Sequence, residues 1–167
     1  MRDDRPLKPS VLDKLISGLK APGSGSRDSA PCPIVSIDPF TERDLREAVI
    51  RDVAWILNDI NFAAAVKIED YPEIRTSVLN QGVPDLTIDV NEGNLVRRAR
   101  ELAEAIRMFE PRLLAESVRV TVDSRGVDDQ NKLRFTIHGE LQCAVDDRYI
   151  ELKTAIAVDT GEVEVAQ

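Results

Sequence analysis

Apolar positions follow two different periods along the chain. Before residue 110 they recur every three or four residues, the spacing of one helix face, and after residue 117 they alternate with polar residues, as in a half-buried strand. One helix is predicted from Thr41, with Asp44 completing a capping box. Its apolar stripe is Leu45, Val49, Val53, Ile56 and Ile60, widened by Trp55 and Leu57. The strongest helix is predicted from Leu95 to Phe109, with Leu95, Ala99, Leu102, Ile106 and Phe109 on its buried face.

A shorter helix is predicted between these two, over the stretch DYPEIRTSVLNQG from Asp70 to Gly82. Asp70 can cap it, Pro72 is tolerated in its first turn, and Gly82 suits the position just after its end. The residues from Phe62 to Ile68 show no clear period, and they could form either a loop or a short strand.

The last third of the chain predicts an antiparallel meander. The alternating apolar positions are Val118, Val120 and Val122, then Leu133, Phe135, Ile137 and Leu141, then Ile150, Leu152, Ile156 and Val158. A turn signal at Asp159-Thr160-Gly161 precedes Val163 and Val165. Helices followed by a meander with one buried face predict an α+β fold, with helices packed on one face of an antiparallel β-meander.

The N-terminal part divides into a short amphipathic helix and a linker. Ser10 and Asp13 form a capping-box pattern, and residues 1–20 present the apolar stripe Leu12, Leu15, Ile16 and Leu19. This helix could pack on its own domain or serve as a docking segment for a partner, and the pattern favours neither. Residues 21–33 are rich in Gly, Ser and Pro and are predicted to be a flexible linker, which leaves residues 34–167 as the globular domain.

Composition narrows the classes of partner. The formal net charge of −8 argues against a nucleic-acid backbone as the main partner, because phosphate binding needs a basic surface. Cys32 and Cys143 are far apart and no secretory signal is evident, which favours a reducing cytoplasm. No apolar run approaches the roughly 20 residues of a membrane-spanning helix, so no membrane insertion is expected.

Candidate catalytic chemistry is sparse. The single histidine, His138, falls on the polar face of a predicted strand, so neither a His/Cys zinc site nor a histidine-based triad is expected, and no cofactor is predicted. A pair of carboxylates could hydrolyse a glycosidic bond without histidine. Glu110 is the one acid with an apolar neighbourhood, but Arg112 close by favours its charged form, which is unsuitable for a general acid. We therefore do not expect an enzyme.

Four segments resemble a known family. They are LREAVIRDVAWILN, YPEIRTSVLNQGVPDL, AIRMFEPRL with its Glu-Pro-Arg signature, and the meander LRFTIHGEL…TGEVEV. Together they resemble the TssE family of type VI secretion baseplates, which is grouped with the lysozyme-like wedge proteins of contractile phage tails. The N-terminal SVLDKL is similar to the secretion-system members in particular.

The resemblance implies a structural role and no enzymatic activity. Family members lie in the cytoplasmic baseplate at the inner face of the cell envelope, with the TssF and TssG wedge proteins, and form the platform on which the TssB–TssC sheath polymerises. TssK is a further candidate partner. The alternatives are the equivalent protein of a phage-like contractile tail and a peptidoglycan hydrolase of the glycosidase type.

Two partner surfaces are predicted on this basis. An edge of the meander could accept a sheath strand by β-augmentation, with Ile150, Leu152, Ile156, Val158 and Val163 as its strand residues. Glu110, Pro111 and Arg112 are expected to dock on the wedge. The other interpretation of Glu110 and Arg112 is an ion pair that joins the end of the helix to the first strand, and we favour docking.

Overall fold

In the described part of the chain, a helical turn at residues 11–14 is followed by two longer helices and then by four strands. This computed structural model describes residues 9–14, 40–85, 92–127, 132–142, 149–157 and 160–166. Helix α1 spans Glu42–Asn58 and helix α2 spans Glu92–Phe109. Strands β1 to β4 span Arg119–Val127, Lys132–Glu140, Tyr149–Ala157 and Val163–Ala166. Three short 3-10 turns lie between the helices, at Phe62–Ala64, Pro72–Thr76 and Val78–Asn80.

The strands form one antiparallel sheet in the order β1-β2-β3-β4, which confirms the predicted α+β meander. Both helices pack against it, α1 beside β4 and α2 beside β1. Alternate residues of the strands join the helices in a single core that includes Leu133, Phe135, Ile137, Ile150, Leu152, Ile156 and Val163. Val118 and Leu141, which directly flank β1 and β2, belong to the same core. Each strand therefore buries one face, as the alternating pattern predicts.

Helix α1 begins as predicted and ends earlier than its apolar stripe. The Thr41 side chain accepts a hydrogen bond from the Asp44 N–H, and the Asp44 carboxylate accepts one from the Thr41 N–H. Leu45, Val49, Val53, Ile56 and Leu57 are buried. Ile60 was wrongly placed on this stripe, because Asp59 turns the chain into an extended conformation and leaves Ile60 exposed. Trp55 does not widen the buried stripe either, since about half of it is exposed.

The predicted helix from Asp70 to Gly82 is wrong. Two 3-10 turns replace it, separated by the extended residue Ser77, and the cap residue is Tyr71 rather than Asp70. The Asn80 side chain donates to the Arg75 carbonyl at 3.1 Å and accepts from the Ala63 N–H at 2.9 Å. An α-helix would need that carbonyl for the N–H four residues later, so the Asn80 bond competes with helical continuation.

Gly82 allows the chain that follows the 3-10 turns to lie directly against the end of α1. The Val83 N–H donates to the Asp59 carbonyl at 2.8 Å, and the Asn61 N–H donates to the Val83 carbonyl at 3.0 Å. Gly82 has φ +123°, and a Cβ atom there would lie 2.4 Å from the Asp59 oxygen. Only glycine fits this close approach of two backbones.

The N-terminal segment is described only over residues 9–14, of which residues 11–14 are helical. The predicted capping box is confirmed, because the Ser10 hydroxyl accepts from the Asp13 N–H and the Asp13 carboxylate accepts from the Ser10 N–H. Leu12 is half-buried. The other stripe residues, Leu15, Ile16 and Leu19, and the predicted linker at 21–33 lie outside the described residues.

Candidate functional site

Helix α2 ends in a charged corner, which we define as Glu110, Pro111 and Arg112. The Glu110 N–H still bonds the Ile106 carbonyl at 2.9 Å, and Pro111, which lacks an N–H, ends the helix there. The Glu110 side chain is only 1% exposed, whereas Pro111 is exposed and the Arg112 side chain is 26% exposed. The carboxylate is therefore the buried part of the corner, and a partner could touch only Pro111 and Arg112.

Arg112 occupies both oxygens of the Glu110 carboxylate. Its Nε donates to Oε1 at 2.8 Å, its Nη2 donates to Oε2 at 2.6 Å, and its backbone N–H donates to Oε1 at 3.0 Å. This bidentate arrangement is the geometry in which a buried carboxylate is best compensated. Burial alone would lower the pKa of Arg112, but the hydrogen bonds and charge of Glu110, and then those of Asp52, raise it above its ordinary value.

The corner continues as a chain of ion pairs across α1. Arg112 Nη2 also reaches Asp52 Oδ2 at 2.6 Å, and Asp52 Oδ1 accepts from Arg51 Nε at 2.7 Å. Arg51 Nη2 in turn bonds Asp13 Oδ1 at 2.8 Å, and its guanidinium lies 5.2 Å from the centre of the Trp55 ring. The N-terminal turn, α1 and the end of α2 are thus joined by alternating charges.

These contacts show that the Glu110–Arg112 ion pair joins the end of α2 to α1 within the fold. Glu110 cannot reach a substrate, because its two oxygens are occupied and shielded from solvent, and this removes the acid on which the hydrolase alternative depended. The described residues include no group of three or more His, Cys, Asp or Glu side chains that could hold a metal ion. Within the described ranges, every helix is too short or too polar to span a bilayer.

His138 lies on the polar outer face of β2, as the alternation predicts. Its Nδ1 is 2.5 Å from the Tyr149 hydroxyl, and the nearest carboxylate oxygen, from Glu151 on β3, is 3.9 Å away. The Tyr149 ring stacks beside it, with the ring centres 6.0 Å apart. His138 therefore belongs to a cross-strand cluster with Tyr149 and Glu151.

The residues predicted for strand addition do not all lie at an edge of the sheet. Ile150, Leu152 and Ile156 belong to β3, which pairs with β2 on one side and, from Lys153 to Ile156, with β4 on the other, and their side chains are in the core. Val163 belongs to β4, which is an edge strand. Val158 lies outside the described residues. Among the described residues of this set, only Val163 belongs to a terminal strand of the sheet, so we take the outer edge of β4 as the candidate surface for an added strand.

The register shows which groups face outwards on β4. The Ala157 N–H donates to the Glu162 carbonyl at 2.9 Å and the Ala157 carbonyl accepts from the Gly161 N–H at 2.8 Å, so the carbonyl of Glu162 faces β3, as in a hydrogen-bonded pair. Because such pairs alternate along an antiparallel ladder, the backbone groups of Val163 and Val165, opposite Ile156 and Thr154, point away from β3. Asn58 hydrogen-bonds Val163 from that side, and among the described residues we find no partner on the outer side of Val165.

A second exposed surface is formed by the 3-10 turns. In the apolar segment, residues 71–79, Tyr71 is exposed, and Val78 and Leu79 are 81% and 72% exposed. The sequence placed these residues in a short helix and did not identify them as a surface. Their apolar character at consecutive positions, between Ser77 and Asn80, is the signal that was available.

The chain matches a known protein family. The sequence pattern of the family described as baseplate wedge protein gp25 matches residues 43–145, which is more than half of the chain. No curated protein and no solved structure matches significantly. The matched range contains both the charged corner and the apolar segment. The chain belongs to the gp25 family of baseplate wedge proteins, the TssE-type structural components of contractile-tail systems.

Proposed function

We propose that this protein is the TssE-type subunit of a type VI secretion baseplate, lying on the cytoplasmic side of the envelope. In this role it joins a TssF–TssG wedge, with TssK as a neighbour, to the TssB–TssC sheath. The observation that carries the proposal is the outer edge of β4, where Val165 presents backbone groups that an extended strand could pair with.

We assign contact with the wedge to two surfaces, the exposed part of the charged corner and the apolar segment. Pro111 and the exposed part of Arg112 form the outside of the charged corner, and Glu110 holds Arg112 in place from below. Val78 and Leu79 supply the apolar area that most stable protein interfaces contain at their centre. The overall negative charge favours basic partners.

Strand addition is tested by removing one outward N–H. In Val165→Pro the missing N–H is the one that points away from β3, so the sheet keeps its internal hydrogen bonds. We expect this variant to be captured by TssF–TssG and to fail in nucleating TssB–TssC sheaths. Val165→Thr is the matched control, since it keeps the N–H and the branched shape. Normal sheath assembly on Val165→Pro would rule out addition at this edge.

Wedge docking is tested at the exposed part of the charged corner. Pro111→Ser changes the surface without touching the bonds between Glu110 and Arg112, although the ring's restriction of the chain is lost. We expect weaker capture by TssF–TssG and an unchanged contact with the sheath. Capture at the wild-type level would show that the wedge binds elsewhere.

The equivalent role in a phage-like tail is the second candidate, because the matched family is described by a phage-type wedge protein. The two roles use the same surfaces and differ in the identity of the wedge partners. A pull-down with TssF and TssG distinguishes them, since a phage-tail subunit should bind neither.

A further inference from the structure

Asn58, the last residue of α1, makes three hydrogen bonds with its side chain. Its Nδ2 donates to the Ala54 carbonyl at 2.8 Å and to the Val163 carbonyl at 2.9 Å, and its Oδ1 accepts from the Val163 N–H at 2.9 Å. The orientation of the carboxamide is fixed, because both carbonyls require the NH2 group and the N–H requires the oxygen.

The bond pair at Val163 has the form of a β-ladder. A neighbouring strand would offer Val163 one donor and one acceptor from its own backbone, and the Asn58 carboxamide offers the same two groups from a side chain. These groups of Val163 are on the outer edge of β4, as the register with Ile156 shows. Asn58 thus takes the position of an added strand at Val163 and leaves Val165 as the next outward residue.

We infer that Asn58 closes the outer edge of β4 against pairing with a second copy of this chain. Edge strands are sites of self-association unless something covers or blocks them. Here β4 has only four residues, so blocking one of its two outward positions removes about half of the ladder that another β4 could form. Aspartate could replace only the acceptor and alanine neither group, so the inference is specific to the carboxamide.

Closure of the β4 edge by Asn58 is independent of which wedge or sheath proteins this chain binds. If the proposed function is correct, a strand added along the whole outer edge of β4 must displace Asn58 from Val163. The loss of Asn58 should then ease strand addition as well as self-association, and the two effects are measured separately.

Amide hydrogen exchange measures the closure directly. In the wild-type chain the Val163 amide should exchange on the order of tenfold more slowly than the outward Val165 amide, because the Val163 N–H has one more hydrogen bond, the one to Asn58. In Asn58→Ala the Val163 amide should exchange as fast as Val165. Asn58→Asp keeps the oxygen acceptor, so Val163 should stay protected. Equal exchange of Val163 in all three chains would overturn the inference.

Sedimentation of the same purified full-length chains tests the consequence. Asn58→Ala should self-associate at protein concentrations where the wild type is monomeric, and adding Val165→Pro should abolish this association. An Asn58→Ala chain that shows the wild-type distribution would contradict the inference. Failure of both the wild-type and the Asn58→Ala chain to nucleate sheaths would count against the proposed function alone, because exchange and sedimentation need no sheath. If Asn58→Ala unfolds, the wild-type chain still tests the inference, because equal exchange of its Val163 and Val165 amides would contradict a hydrogen bond to Asn58.

Discussion

In the apolar segment, aliphatic side chains face solvent, whereas in the charged corner a carboxylate is almost completely buried. Val78 and Leu79 are largely exposed, and Glu110 is 1% exposed. Residue type alone would assign the two roles the other way round, with the charges at the interface and the aliphatic residues in the core. Burial of Glu110 is possible because Arg112 and the backbone satisfy its oxygens. Exposure of Val78 and Leu79 lacks such an internal reason and suits a partner surface.

The largest effect is expected from Glu110→Ala. This change leaves the partly buried Arg112 with Asp52 as its one remaining carboxylate, and breaking a buried pair from one side typically costs about 3–5 kcal/mol. We expect a loss of this order in the free energy of unfolding, measured with urea. Glu116→Ala, at an exposed position nearby in the chain, is the control and should be neutral. If Glu110→Ala kept full stability and lost wedge binding, the result would favour docking on the wedge over a stabilising internal ion pair as the role of Glu110.

A smaller loss is expected from Gly82→Ala. The new Cβ would lie 2.4 Å from the Asp59 oxygen at a positive φ, so the link between α1 and the end of the apolar segment must shift. Positive φ alone costs about 1–2 kcal/mol, and the clash adds to it. Thermal unfolding measures the effect. A melting temperature equal to that of the wild type would show that this junction yields easily.

Acidification should release the N-terminal turn from α1. Burial raises the pKa of Asp13, but hydrogen bonds from Ser10 and Arg51 outweigh it, so the pKa is lowered overall. The Asp13–Arg51 pair therefore stabilises the fold above the ordinary aspartate pKa of about 3.9, and this stabilisation is lost as the pH falls through the lowered value. Fluorescence of Trp55, the single tryptophan, should change below pH about 4, since Arg51 lies over its ring.

The control for this titration is Asp13→Asn, which cannot change charge at that position. Its Trp55 fluorescence should lack the transition that the wild-type chain shows. A transition of the same size in both chains would assign the pH response to other carboxylates.

The smallest effect on stability is expected from the double substitution Val78→Ser and Leu79→Ser. Exposed side chains contribute little to the core, so the free energy of unfolding should change by no more than about 0.5 kcal/mol. Capture by TssF–TssG should fall in the same variant. A large loss of stability would remove the contrast between the apolar segment and the charged corner.

The sequence predicted those parts of the fold that local periodicity encodes. The capping boxes at Ser10 and Thr41, the core face of α2 and the four-strand meander are all confirmed. The 3-10 turns after Tyr71 were not predicted. They depend on the hydrogen bond from the Asn80 side chain to the Arg75 carbonyl, which competes with an α-helix and cannot be inferred from the spacing of apolar residues.

The candidate site was less predictable, because its contacts join residues far apart in the chain. Glu110 and Arg112 are two residues apart and were paired from the sequence, although the burial of Glu110 was not foreseen. Asp52 lies 60 residues from Arg112, Asp13 lies 38 from Arg51, and Asn58 lies 105 from Val163. Nothing in local spacing distinguishes these polar residues from others on a solvated helix face.

Helix α1 connects the charged corner to the outer edge of β4. Asp52 holds Arg112 at the charged corner, and Asn58, six residues further along the same helix, holds the outer edge of β4. Six residues of a helix span about 9 Å, so both contacts are made by one rigid rod. Any shift of this rod that repositions Arg112 also moves the carboxamide at Val163. The charged corner and the outer edge of β4, which are proposed to meet different partners, are therefore mechanically linked through a single helix.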